Sequence, residues 1–254
     1  GLELEYLVQE EQLGTGHAVA QAAGKLNDMF FCLNGDTLVT TETLRVLATA
    51  TSEHVLAVTQ ITDCSSYGLI KTHKGKLVSI VEKGGEGPGS INAGVYRFAP
   101  SIFEALKAIE RSPRGEYELT TALEAVAQGI TVVDVEGDWL DLGRPWDLLT
   151  ANTLLLSRMK SSIEGIVEEG TVLKGAVHVA AGAIVKAGCR IEGPVWIGPD
   201  AIVGPNACIR GATMLGTGAK VGAASEVKNS ILMERSKAPH HNYVGDSILG
   251  RNCN

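Results

Sequence analysis

Several familiar signals are missing from this chain. No uninterrupted apolar stretch reaches the length a helix needs to cross a bilayer, and no signal-peptide pattern opens the sequence. The five cysteines, Cys32, Cys64, Cys189, Cys208 and Cys253, are scattered and include no CxxC pair. No His/Cys spacing fits a transition-metal site. There is also no basic run: 22 Lys and Arg stand against 29 Asp and Glu, for a net charge of −7. That balance excludes a bulk nucleic-acid-binding role on electrostatic grounds. Scattered cysteines give the expectation of a reduced, cytoplasmic setting, with no membrane and no nucleic acid as partner.

What the chain does have is a six-residue beat in its last third. Val167, Leu173, Val179, Val185, Ile191, Ile197, Val203, Ile209, Leu215, Val221, Val227 and Met233 are twelve consecutive aliphatic or Met positions. Two residues before ten of them come Thr171, Val177, Ala183, Cys189, Val195, Ala201, Ala207, Thr213, Ala219 and Ser225, all small or β-branched. Strand side chains alternate, so both positions of each pair point inward. A large residue, a small one and a turn, repeated every six positions, predict a parallel β-helix of three-sided coils. The beat breaks through Glu234–Pro239 and resumes at Tyr243 and Leu249, which predicts an interrupting loop. Such a loop in a rigid repeat is a natural place for a site.

The first part of the chain reads differently. Strand-like runs at Met29–Leu33, Val55–Ile61, Leu77–Val81, Ile91–Phe98 and Ile130–Val135 alternate with helical patterns at His17–Lys25, Thr41–Ala50, Ile102–Ile109 and Glu118–Ala127. This predicts an α/β domain over residues 1–150, layered with helices outside its sheet. A linker helix over 151–162 and the solenoid over 163–254 complete the expected division. The sequence opens in mid-pattern and stops at Asn254 in mid-repeat, giving the expectation that a parent chain continues at both ends.

Three stretches of the first domain carry chemistry. Gln9-Glu10-Glu11-Gln12-Leu13-Gly14-Thr15-Gly16-His17 sets glycines and a Thr before a helix, where backbone N–H groups can meet a base edge or a phosphate. A helix capped after a tight turn is the plainer reading of the same residues. Asp36, in Asn34-Gly35-Asp36, falls at the carboxyl end of a buried strand, the edge where open α/β sheets bind ligands. Asp141, in Trp139-Leu140-Asp141-Leu142-Gly143, offers a second carboxylate, and two such groups can hold one Mg2+ between nucleotide oxygens. Each Asp taken alone reads equally well as a turn residue.

In order along the chain these motifs are joined by Tyr67-Gly68-Leu69-Ile70, Val81-Glu82-Lys83, Asn92-Ala93-Gly94-Val95 and Gly115-Glu116-Tyr117-Glu118-Leu119-Thr120. The set resembles the sugar-phosphate nucleotidylyltransferases. With the hexapeptide-repeat tail it is most similar to the bifunctional N-acetylglucosamine-1-phosphate uridylyltransferase/glucosamine-1-phosphate acetyltransferases, particularly the archaeal type. The resemblance implies a Rossmann-like nucleotidyltransferase domain followed by a left-handed parallel β-helix. It implies that Gln9, Gly14 and Thr15 contact the nucleotide, that Gly68, Glu82, Asn92 and Thr120 grip the sugar, and that Asp36 and Asp141 bind Mg2+. The Gly-rich, Arg- and Lys-containing triphosphate loop of that family is not in this sequence, so nucleotidyl transfer is expected to be inactive in the chain as it stands.

The solenoid carries its own part of the resemblance. Lys237-Ala238-Pro239-His240-His241-Asn242-Tyr243-Val244-Gly245-Asp246 is similar to the acetyltransferase segment of the same family, whose catalytic base matches His240. Arg210 and Lys228 match its cationic sugar-phosphate contacts, and Tyr243 and Asn254 its substrate-side positions. The chemistry is coherent in itself: a neutral imidazole can accept a proton from an amine attacking a thioester, and two cations one coil apart suit a phosphate. The implied substrates are a sugar-1-phosphate, a nucleoside triphosphate (UTP or dTTP) and acetyl-CoA, in a homotrimer assembled through the β-helix. Two other readings stay open: a thymidylyl- or guanylyltransferase whose β-helix serves assembly alone, and a catalytically inactive scaffold.

Overall fold

The structure, a computed structural model, describes residues 3–81 and 86–254. The chain forms two compact units, Gly1–Asp141 and Leu142–Asn254.

The first unit is built on a six-stranded sheet. Its strands are β1 (Phe30–Leu33), β3 (His54–Ile61), β4 (Leu69–His73), β5 (Lys76–Val81), β6 (Gly89–Phe98) and β7 (Ile130–Asp134), in the order β1-β6-β3-β7-β5-β4. Only β3 and β7 run parallel; the other described pairings are antiparallel. A separate ladder pairs β2 (Thr37–Val39) with β8 (Trp139–Asp141). Alternation along β3 divides the core. Leu56 and Val58 join Phe98, Phe103, Leu106 and Leu123 on the face covered by α1 (Thr15–Ala20), α3 (Ile102–Ala108) and α4 (Leu119–Ala125). Val55 and Ala57 join Leu47 of α2 (Thr41–Thr49) on the other face. Helix α2 starts where it does because the Thr40 hydroxyl accepts the Thr43 N–H at 3.3 Å and Glu42 sits in its first turn.

The second unit opens with α5 (Asp147–Ser157) and continues as stacked parallel strands in three sheets, two of five strands and one of six. The large positions predicted inside are inside: Val179, Val185, Ile191, Ile197, Val203, Ile209, Leu215, Val221 and Val227 are all fully buried. So are their small partners, from Val177 to Ser225.

The beat itself changes near its end. Earlier coils repeat every eighteen residues, as Val195 pairs with Thr213 and Cys208 with Glu226. From Ile231 onward the step is seventeen: Met214 pairs with Ile231, Val221 with Ala238 and Val227 with Val244. One side of the coil is a residue shorter. Leu232, at 0% exposure, therefore takes the inward slot predicted for Met233, which is only half-buried. The expected interrupting loop at 234–239 is not a loop either. Lys237–His240 is a strand in register, with Ser236 and Ala238 buried. After it, Val244 rather than Tyr243 packs against the core. Tyr243 is 63% exposed. Met233 and Tyr243 are apolar enough to satisfy a count, but packing assigns the slot by coil length.

Candidate functional site

Several of the residues singled out in the first unit gather near the carboxyl end of β1. That strand ends opposite Val95 of β6, and the next N–H, of Asn34, donates to the Gly94 carbonyl at 2.9 Å. The approach depends on residue 94 having no side chain: its φ is +70°, and a Cβ there would lie 2.5 Å from Asn34 Nδ2. Asn92, two residues back, accepts the Gly94 N–H on Oδ1 at 2.9 Å and donates from Nδ2 to Tyr96 Oη at 2.8 Å. Burial pushes the Tyr96 phenol well above its ordinary pKa, so it stays protonated. The Asn92 N–H reaches the Gly68 carbonyl at 3.4 Å.

Gly14 and Thr15 arrive from the other side. Gly14 has φ +103° and sits against Tyr117, whose carbonyl would be 2.8 Å from a Cβ at position 14. The Gly16 N–H donates to that carbonyl at 2.8 Å, and the Tyr117 N–H donates to Leu13 at 2.7 Å. Thr15 Oγ1 accepts the Leu119 N–H at 3.1 Å and so caps α4. Gln9 Nε2 contacts the Gly14 carbonyl at 3.2 Å and His17 Nδ1 at 2.9 Å, which shapes the turn.

A cavity of about 240 Å3 results, lined by Thr15, Asn34, Asn92, Tyr96, Arg114, Glu116, Glu118, Leu119 and Thr120. It joins one nucleotide-side candidate, Thr15, to two sugar-side ones, Asn92 and Thr120. Gln9, Gly14 and Gly68 are not in its lining, although the Gly68 carbonyl accepts the N–H of the lining Asn92. Glu82 lies outside the described residues. Sequence reasoning passed over Arg114, Glu116 and Glu118, although the last two stand inside a quoted motif. Arg114 pairs with Glu118 at 3.2 Å.

The two aspartates lie at one end of the β2–β8 ladder. Thr37 is directly opposite Asp141, and Asp36 immediately precedes Thr37. Asp36 is exposed and Asp141 half-buried. Among the described residues no cluster of three or more His, Cys, Asp or Glu forms a complete cage for a metal. Two carboxylates at neighbouring strand ends fit Mg2+, which takes one or two protein carboxylates and fills its octahedron with water and substrate phosphate.

In the second unit Arg210 and Lys228 are direct partners on adjacent coils, as their eighteen-residue spacing predicts. Each cation is already matched by an acid. Arg210 Nε donates to Glu226 Oε1 at 2.7 Å, a bond that raises the guanidinium pKa further. Lys228 Nζ donates to Asp246 Oδ2 at 3.1 Å. Asn229 donates to the other oxygen, Oδ1, at 2.7 Å. Together they hold the Asp246 carboxyl below its usual range, Asn229 first and Lys228 second. Tyr243 starts the next strand of the same face, opposite Glu226. His240 ends the strand before it, opposite Ala223, exposed and edge-on to the His241 ring at 6.0 Å. His240 and Tyr243 thus flank one corner of the coil, His241-Asn242. Asn254 is exposed beyond the last strand, Ile248–Leu249.

A family model described as "Nucleotidyl transferase" matches residues 1–158, and one described as "GMPPB C-terminal domain" matches 191–254. A Methanococcus maripaludis protein named "Bifunctional protein GlmU" is 45% identical over 258 residues, covering 99% of this chain and 62% of its own length. A Sulfurisphaera tokodaii protein named "Bifunctional sugar-1-phosphate nucleotidylyltransferase/acetyltransferase" is 36% identical, covering 99% of this chain and 64% of its own. The chain thus spans under two thirds of the length of these relatives. A crystal structure described as a glucose-1-phosphate thymidylyltransferase from Bacillus anthracis superimposes with a TM-score of 0.52 at 22% identity, over 59% of this chain and 64% of that one. It supports the fold. By the match over its first 158 residues, this chain belongs to the nucleotidyl transferase family.

Proposed function

We propose that the protein makes a nucleotide sugar. In this reading an oxygen of a sugar-1-phosphate attacks the α-phosphate of a nucleoside triphosphate in line and pyrophosphate leaves. UTP and N-acetylglucosamine-1-phosphate are the first pair to test. The observation that carries it is the shared location, at the carboxyl end of β1, of the cavity lined by Thr15, Asn92 and Thr120 and the strand ends bearing Asp36 and Asp141. Asp36 and Asp141 would hold Mg2+, which when bound neutralises phosphate charge and orients both reactants. Asn92, fixed by Tyr96 and Gly94, presents a preorganised amide to the sugar. Thr15 and Gly14 bring backbone and hydroxyl to the nucleotide side. Most of the rate enhancement in this chemistry comes from such positioning.

The second half of the proposal is N-acetylation of glucosamine-1-phosphate by acetyl-CoA. His240 would accept the amine proton, while Arg210, Lys228, Tyr243 and Asn254 bind the sugar phosphate. A cytoplasmic homotrimer assembled through a left-handed β-helix belongs to the same reading. The GMPPB-type match over 191–254 favours a second one, in which the solenoid serves assembly alone. The names of the archaeal relatives favour two activities.

The test uses full-length protein with Mg2+. Pyrophosphate release from UTP and N-acetylglucosamine-1-phosphate is expected, and its loss in Asp36→Asn and Asp141→Asn. Acetyl-CoA turnover with glucosamine-1-phosphate is expected, and its loss in His240→Ala. No pyrophosphate from any nucleotide and sugar phosphate refutes the first half. Acetyl transfer that is absent, or unchanged in His240→Ala, refutes the second.

A further inference from the structure

We propose that Tyr67 is a positioning residue for nucleotidyl transfer, its hydroxyl setting the Asp141 carboxylate in the orientation a divalent cation needs. The inference rests on the reading of the first unit given above. Tyr67 Oη donates to Asp141 Oδ2 at 3.0 Å. Tyr67 is itself held in place. Its ring meets Trp139 edge to face, with centroids 6.2 Å apart, and its backbone N–H donates to the Cys64 carbonyl at 3.0 Å. Trp139 is anchored in turn by Nε1 donating to the Ala93 carbonyl at 2.8 Å.

A carboxylate on a short strand turns easily about its last bond, because that torsion has a broad minimum. A single donor on Oδ2 removes the freedom and leaves Oδ1 and further lone pairs for a cation. The donor is neutral, so it orients the carboxylate without competing for its charge, as a lysine or arginine would. Tyr67 also precedes Gly68, whose carbonyl is bonded to Asn92. One dipeptide therefore ties the carboxylate to the sugar side of the cavity.

The experiment replaces Tyr67 by Phe in the full-length protein, keeping the ring and deleting the hydroxyl. The Mg2+ concentration giving half-maximal pyrophosphate release should rise about tenfold or more, the usual effect of losing a bond to a metal ligand. Mn2+ binding in the presence of UTP, read by electron paramagnetic resonance, should weaken in parallel. The KM for the sugar phosphate and the melting temperature should stay near those of the parent. A purely packing role for the ring predicts parent-like metal binding in Tyr67→Phe, and that result overturns the proposal. Fluorotyrosine at position 67 tests it without deleting the donor: its fluorine resonance should shift when Mg2+ joins the UTP complex, and an unmoved resonance overturns it. Asp141→Asn separates the two levels. If that variant keeps metal-dependent turnover, the site reading itself fails. If it is inactive while Tyr67→Phe binds metal like the parent, only the role of Tyr67 fails.

Discussion

The shortened coil makes a quantitative prediction at two adjacent residues. Leu232 is fully buried, stacked between its coil partners Leu215 and Leu249. Cutting it to Ala removes buried methyl and methylene groups and leaves a cavity closed above and below, which costs about 3 kcal/mol, within the range seen for Leu-to-Ala changes in cores. Met233 instead lines an outer groove with Leu148 and Met214. Its side chain is only partly buried and borders an open groove, so Met233→Ala should cost about 1 kcal/mol or less. The difference, about 2 kcal/mol, is a factor of roughly thirty in the local opening constant. Hydrogen exchange of the Met214 and Ile231 amides, which sit on either side of the shortened edge, reads it directly. Urea unfolding with an unchanged m-value checks the same numbers. If Met233→Ala proves as costly as Leu232→Ala, the six-residue beat runs on unbroken and the packing described above is wrong.

Gly222 should tolerate nothing larger. A Cβ there would lie 1.4 Å from the Pro239 carbonyl oxygen, so Gly222→Ala must push the last coils apart, costing about 1–3 kcal/mol in the same urea assay; an unchanged midpoint refutes this. His54 is buried, which lowers its pKa, with Glu53 opposing the shift. The unfolded chain therefore takes up the proton first, and stability present above about pH 6.5 is lost as pH falls below it. Melting curves of His54→Gln should depend less on pH between about 7.5 and 5.5 than those of the parent, and equal slopes refute the assignment. Thiol reagents at neutral pH should label exposed Cys253 quickly. Cys32, whose pKa burial raises to about 11, should react slowly, and early labelling of Cys32 contradicts its burial.

The β-helix was legible because its inward positions repeat within a few residues, so local pattern and final packing coincide. What one sequence hides is which of two neighbouring apolar residues is inside once a coil loses a residue, since Leu232 and Met233 satisfy a hydrophobicity count equally. In the first domain the long strands β3 and β6 were readable from their apolar runs. Strand β4 was not, because Ile70 is its one fully buried residue and Lys71, Thr72 and His73 face solvent. Strands β2 and β8, three residues each, are set by pairing with each other. Asp36 and Asp141 could be picked out by their place at strand ends, but the bond from Tyr67 to Asp141 spans 74 positions and leaves no periodic trace. Arg114 and Glu116 sit in a turn, where charge is common, and only the cavity distinguishes them from solvated residues.

Residues 240 and 241 are both histidines, and arithmetic chooses between them. A coil of full length would set position 241 opposite Ala223, whereas the seventeen-residue step sets His240 there and leaves His241 in the left-handed turn that follows, at φ +49°. Adding a single amino acid between Val227 and Ser230 would restore the eighteen-residue step and keep His240 opposite Ala223, so the short edge and the place of this residue in the chain are matched to each other. The length of one edge of a triangle thus decides which of two neighbouring imidazoles stands at this vertex.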